Sequence, residues 1–120
     1  MKDITKQKFR ALLQMWNNSS SDNIYEYLSR QPAPRFYVQA ITAKMKCAQL
    51  LKGELLNTGH QTIFMYTEIY KRYLAMREAG DKRPPLHLFE EIVQQPAPSF
   101  YMEPITIKFL IERNIKYHGK

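Results

Sequence analysis

The chain has 120 residues, room for one hydrophobic core and not for separate catalytic and binding domains. Apolar residues at 44%, charged residues at 24% and only 4 Gly exclude a low-complexity chain, and a lone cysteine, Cys47, excludes a disulfide framework or a cysteine zinc site. Lys and Arg outnumber Asp and Glu by 18 to 11, so a net charge of +7 favours polyanions or acidic protein surfaces as partners.

Phe9, Leu12, Leu13 and Trp16 fall at i, i+3, i+4 and i+7 and predict a helix over residues 5–16, ended by the polar run 17–21. Ser21 or Asp22 can cap a short second helix carrying Ile24, Tyr25 and Leu28. Pro32 stops it, because the residue before a proline is pushed out of the helical region. Ala40, Ala43, Cys47, Leu50 and Leu51 make the next apolar face, which ends at Gly53. Tyr66, Ile69, Tyr70, Tyr73 and Leu74, with Met65 and Met76 beside them, predict a longer helix over 62–79 closed by Gly80. Pro84 and Pro85 suit the first turn of a fifth helix running through Val93, and Pro104 suits the first position of a sixth.

Residues 31–37, Gln-Pro-Ala-Pro-Arg-Phe-Tyr, recur at 95–101 as Gln-Pro-Ala-Pro-Ser-Phe-Tyr, an offset of 64 positions. Aligned without a gap, residues 24–46 and 88–110 share ten identities in 23 positions: Glu26, Gln31, Pro32, Ala33, Pro34, Phe36, Tyr37, Ile41, Thr42 and Lys44. Upstream the match fades to Phe9, Ala11 and Leu12 over Tyr73, Ala75 and Met76. The repeat also decides an ambiguous segment. Ile105-Thr106-Ile107-Lys108-Phe109 alternates with period two, as a strand would, but its counterpart at 41–45 is rich in helix formers, and Ile107, Leu110, Ile111 and Ile115 continue a helical face. The expectation is an all-α single domain over 1–120. It comprises about six helices in two tandem pseudo-repeats, over about 5–56 and 62–120, each with a Pro-Ala-Pro corner between two helices.

Two prolines favour stiff polyproline geometry, so each corner reads as a low-entropy strut that sets the angle to the next helix. Phe36 and Tyr37, like Phe100 and Tyr101, either wedge between helices or, with Pro32, Pro34, Pro96 and Pro98, offer a surface to a partner. The eight or nine residues between the helices, two of them proline, fit a DNA-binding helix-turn-helix poorly. Charge divides unequally: residues 30–53 carry Arg30, Arg35, Lys44, Lys46 and Lys52 and no acid, whereas 86–107 carry Glu90, Glu91 and Glu103 and no base. Opposite signs on equivalent segments suit a head-to-tail contact between copies, or polyanion binding by the basic half. Lys2, Lys6, Lys8 and Arg10, and Lys71, Arg72, Arg77, Lys82 and Arg83, are two further basic clusters.

His60, His87 and His118 share no motif with Cys47 or with a carboxylate pair, and the glycines are dispersed, so no catalytic, metal, cofactor or small-molecule site is expected. No apolar run is long enough for a membrane span, and the expected place is the cytoplasm of the producing cell.

The paired Pro-Ala-Pro-x-Phe-Tyr, followed in the second copy by Glu103-Pro104, resembles a set of short basic proteins from phages, crAss-like phages among them, and from mobile elements of Bacteroides-type bacteria. The likeness covers about 24–46 and 88–111. The first copy departs from it with Gln39-Ala40 at the helix start. The resemblance implies a setting, the virion included, and no particular activity. The reading of the whole is a non-catalytic assembly protein docking onto neighbouring subunits, either further copies of itself or virion components. The alternative is a nucleic-acid-binding accessory or regulatory protein using the basic first half.

Overall fold

The computed structural model describes residues 3–17, 23–54 and 58–118, with the side chains of the last four excepted. The described residues form six helices: α1 (Asp3–Asn17), α2 (Ile24–Ser29), α3 (Ala40–Leu51), α4 (His60–Glu78), α5 (Pro85–Val93) and α6 (Pro104–His118). No strand occurs among the described residues. The capping candidates Ser21 and Asp22, most of the polar run after α1, and the boundary near residue 56 lie outside the described residues, as do the side chains of Lys2 and Ile115.

Proline and glycine set the helix limits as their backbones require. Pro85 and Pro104 open α5 and α6, where a missing N–H costs nothing. Gly80, at φ +92°, ends α4: its N–H donates to the Arg77 carbonyl, and the Asp81 N–H donates to Met76, both at 3.0 Å. Gly53, at φ +76°, ends α3 by the same pairing to Leu50 and Gln49. Both are Schellman closures, which place a residue in the left-handed region. The alternating 105–109 segment is helical: Ile107 is fully buried, while Ile105 and Phe109 face outward.

The helices group into two units. In one, α1, α2 and α6 pack on one another; in the other, α3, α4 and α5 do. The chain passes from the first to the second between Ala33 and Pro34 and returns between Ala97 and Pro98, so both crossings fall inside the repeated Pro-Ala-Pro. These units differ from the expected halves, 5–56 and 62–120. The helix after the first corner, α3, packs on α5, and the helix after the second, α6, packs on α2. Each helix that follows a corner thus belongs to the unit built around the other copy of the motif.

Burial follows the same offset of 64. Leu28 and Ile92, Ala33 and Ala97, Phe36 and Phe100, Ala43 and Ile107, and Cys47 and Ile111 are all buried. The α1–α2–α6 unit encloses Leu12, Leu28, Ala33, Phe100, Ile107, Ile111 and Asn114, whose Nδ2 donates to the Leu110 carbonyl at 2.7 Å. Tyr25 Oη in the same unit donates to Glu112 Oε1 at 3.3 Å, joining α2 to α6, and its ionisation is pushed up by burial and by that carboxylate. The second unit encloses Phe36, Val38, Cys47, Tyr66, Ile69 and the inner face of α5. Tyr73 of α4 stacks on Phe89 of α5 with ring centres 4.9 Å apart. The Cys47 thiol donates to the Tyr66 carbonyl at 3.6 Å, and burial pushes its pKa up to about 12.

Candidate interaction surfaces

The corners are divided residue by residue. Ala33, Phe36, Ala97 and Phe100 are no more than 4% exposed, whereas Pro32, Pro34, Pro96 and Pro98 are exposed and Tyr37 and Tyr101 are half-buried. Phe36 and Phe100 therefore belong to the interior and are not partner-binding residues, because their rings already fill the units that the corners enter. The Phe36 N–H donates to the Val93 carbonyl at the end of α5, at 3.0 Å. Burial pushes the Tyr37 hydroxyl up, against the opposing charge of Arg35. Tyr101 has φ +54°, a left-handed conformation at a non-glycine residue, and its N–H donates to Ser99 Oγ at 2.9 Å.

Several arginines expected to face a partner are turned onto the chain itself. Arg35 Nε donates to the Phe36 carbonyl at 3.0 Å, and its guanidinium lies 5.9 Å from the Tyr37 ring centre. Arg72 donates through Nε to Glu68 at 2.9 Å and through Nη1 to Gln95 and to the Pro96 carbonyl, and it lies 4.8 Å from the centre of the Phe36 ring. Arg77 spans from the Tyr73 hydroxyl to the carbonyls of Asp81 and Arg83. Arg83 pairs with Asp81 at 2.7 Å and with Glu91 at 3.1 Å, and its hydrogen bonds hold the Asp81 carboxyl down to about 2. Arg30 pairs with Glu26 at 2.7 Å. In the expected basic cluster at 71–83 the three arginines are bound within the chain, Arg72 and Arg77 half-buried and Arg83 exposed, and Lys71 and Lys82 are exposed.

The charge halves of the sequence are also redistributed. Lys44, Lys46 and Lys52 share a unit with Glu90 and Glu91, whereas Arg30 and Glu103 belong to the other. Lys44 on α3 and Lys52 at its C-terminal cap are exposed, as are Ile41, Met45 and Leu51 of α3, at 48–63%. Ile41 and Met45 lie one turn apart, and 64 positions later Ile105 and Phe109 lie one turn apart on α6, 53% and 60% exposed. The repeat has kept an outward apolar pair on each helix that follows a corner.

A groove runs between α1 and α6. Thr5, Lys6, Phe9, Arg10, Leu110, Arg113 and Asn114 line a space of about 750 Å³. An adjoining space of about 340 Å³ adds Lys8, Met102, Thr106 and Phe109. Its lining mixes apolar side chains with four cations, Lys6, Lys8, Arg10 and Arg113, none in an ion pair among the described residues. Burial pushes the Lys8 ammonium pKa down. Sequence reasoning found the three cations of α1 as a cluster but missed Arg113, Leu110, Phe109 and Met102 as their neighbours. No local signal joins segments a hundred positions apart.

Among the described residues no group of three metal-capable side chains comes together, and no helix is long and apolar enough to cross a membrane. No protein-family model, curated protein or solved structure matches the chain.

Proposed function

We propose that the chain is a non-catalytic docking protein that holds a neighbouring protein subunit, seating an acidic amphipathic helix in the α1–α6 groove. The observation that carries this reading is the lining of the groove, where Phe9, Met102, Phe109 and Leu110 lie among four cations that have no ion-pair partner among the described residues. An amphipathic helix laid in such a groove buries its apolar face on the apolar side chains and sets carboxylates against the cations. The volume is in the range of ordinary ligand clefts, roughly 300–1,000 Å³. The outward stripe of α3, with Ile41, Lys44 and Met45 exposed and Lys52 at its cap, is a second face of the same chemistry. The likeness of the paired corners to short basic phage proteins supports a virion or similar complex as the setting.

Nucleic acid is the weaker alternative. Phosphates would be drawn to the same cations, Arg10 and Arg113 among them, but they have no use for apolar lining, and Arg72, Arg77 and Arg83 are already bound within the chain.

The test is titration of the whole protein with a synthetic helix bearing leucines on one face and glutamates on the other, and in parallel with short duplex DNA, at low and high salt. Peptide binding that is lost in Phe9→Ser and Leu110→Ser, and weakened in Lys6→Glu with Arg113→Glu, supports the reading. Binding of DNA but not peptide, insensitive to Phe9→Ser, overturns it in favour of the alternative.

A further inference from the structure

We propose that two copies of this chain exchange α6 through the second Pro-Ala-Pro corner, so that each α1–α2–α6 unit of the resulting dimer is completed by the other copy. This inference is independent of what occupies the groove.

It starts from what the corner does in both of its occurrences. In each, the helix after the motif is delivered to the unit that holds the helix before the other motif: α3 to α5, and α6 to α2. Ten identical residues and a matching burial pattern make the two occurrences alike, so the chain is already a reciprocal exchange closed within one molecule. A packing arrangement that accepts its last helix from across a hinge does not distinguish a helix on its own chain from the same helix on another. Every contact of α6 with α1 and α2, Tyr25 Oη to Glu112 included, is kept in the exchanged form, and no new interface has to be invented.

The second corner is the hinge, because strain is confined to it. Tyr101 is the non-glycine residue with positive φ among those described, at +54°, while its counterpart Tyr37 has no such conformation. A left-handed side-chain-bearing residue is disfavoured by about tenfold or more, and short hinges under strain favour exchange because the open form relieves it. Two hinges open in the dimer, so the combined bias is on the order of a hundredfold in the dimerisation constant. Against it stands the effective concentration of α6 on its own chain, on the order of millimolar for a short link. The balance places exchange at high local concentration, as in an assembly, and makes it slow, since α6 must first leave its unit. In the dimer each groove becomes composite, with Lys6, Phe9 and Arg10 from one copy and Leu110 and Arg113 from the other.

The experiment refolds the full chain from denaturant at low and at high protein concentration and measures mass by light scattering. The expected result is a dimer whose share rises with refolding concentration, persists for some time on dilution and does not respond to salt. Salt-sensitive, rapidly reversible association would belong to surface docking and would overturn exchange, as would a monomer at every concentration. To identify the exchanged helix, Tyr25→Cys and Glu112→Cys are combined with Cys47→Ser and joined by a short thiol cross-linker. Dimer fractions should give chain-to-chain products and monomer fractions only internal ones; internal products alone in the dimer refute the proposal. Tyr101→Gly, which accepts φ +54° without strain, should lower the dimer share by roughly one to two orders of magnitude in the association constant. An unchanged share would overturn the hinge assignment.

Discussion

Arg72→Met is the sharpest test of how the second unit is held, because it leaves the aliphatic stem in place and removes only the fork. The side chain is 26% exposed and makes bonds to Glu68 at 2.9 Å, Gln95 at 3.2 Å and the Pro96 carbonyl at 2.9 Å, with Phe36 4.8 Å beneath it. Losing the bonds to the exposed Pro96 carbonyl and the partly buried Gln95 amide oxygen costs about 1–2 kcal/mol once water access is allowed for. The ring contact adds about 0.5–1 kcal/mol and the helical ion pair roughly 0.3–0.5. The sum is about 2–3 kcal/mol, which lowers the thermal midpoint by roughly 8–12 °C for a chain of this size. Urea unfolding followed by circular dichroism measures it directly, as a lower midpoint at constant slope. Arg72→Lys should recover less than half the loss, since an ammonium can keep the Glu68 pair but cannot span from it to Pro96. A loss below about 0.5 kcal/mol for Met, or full recovery by Lys, would refute the claim that the fork ties α4 to the corner.

Lys8 occupies the position 64 residues before Arg72, is half-buried, and has no ion-pair partner among the described residues. Lys8→Met should therefore raise the urea midpoint while weakening capture of the acidic peptide, and a fall in both would show the ammonium to be satisfied. The Asp81 carboxyl, held down to about 2 by Arg83, favours the folded state above its ordinary value of 3.8 and loses that contribution as pH falls toward 2. Asp81→Asn should flatten the acid limb of the stability profile, and an unchanged limb would remove Asp81 from the account. Ala33→Leu and Ala97→Leu, each at a site 2% exposed, should cost about 1–3 kcal/mol in urea unfolding through overpacking, whereas Pro34→Ala and Pro98→Ala at exposed sites should cost far less. Cys47, buried and pushed up to about 12, should react with a thiol reagent at pH 8 only as fast as the protein opens; rapid native labelling would contradict its place in the core.

What could be read from the residues, and what could not, follows from the range of the forces involved. Helix limits were legible because proline and glycine act on their own backbone: Gly53 and Gly80 sit where a left-handed φ is needed, and Pro85 and Pro104 where φ is helical and no N–H is required. The helical state of 105–109 was legible because the repeat supplied a second, less ambiguous copy of the segment. Which helix packs on which was not, since a repeat shows which segments are alike and is silent on whether like segments pair within a copy or across copies. That one bit of topology also redistributes the charges, because exchange at the corners puts Lys44 and Glu90 in one unit and Arg30 and Glu103 in the other. It also hid the groove, whose two walls come from opposite ends of the described chain. Arginine was misjudged for a related reason. A guanidinium on a helix face is equally a ligand for phosphate and a fork for carbonyls, and the choice rests on whether a loop end such as Pro96 or Asp81 lies within reach. In this chain the loops that reach an arginine are the corner and the turn before α5, both in the second unit. The first unit has Lys8 at the position of that fork, and an ammonium has no planar fork with which to span two acceptors.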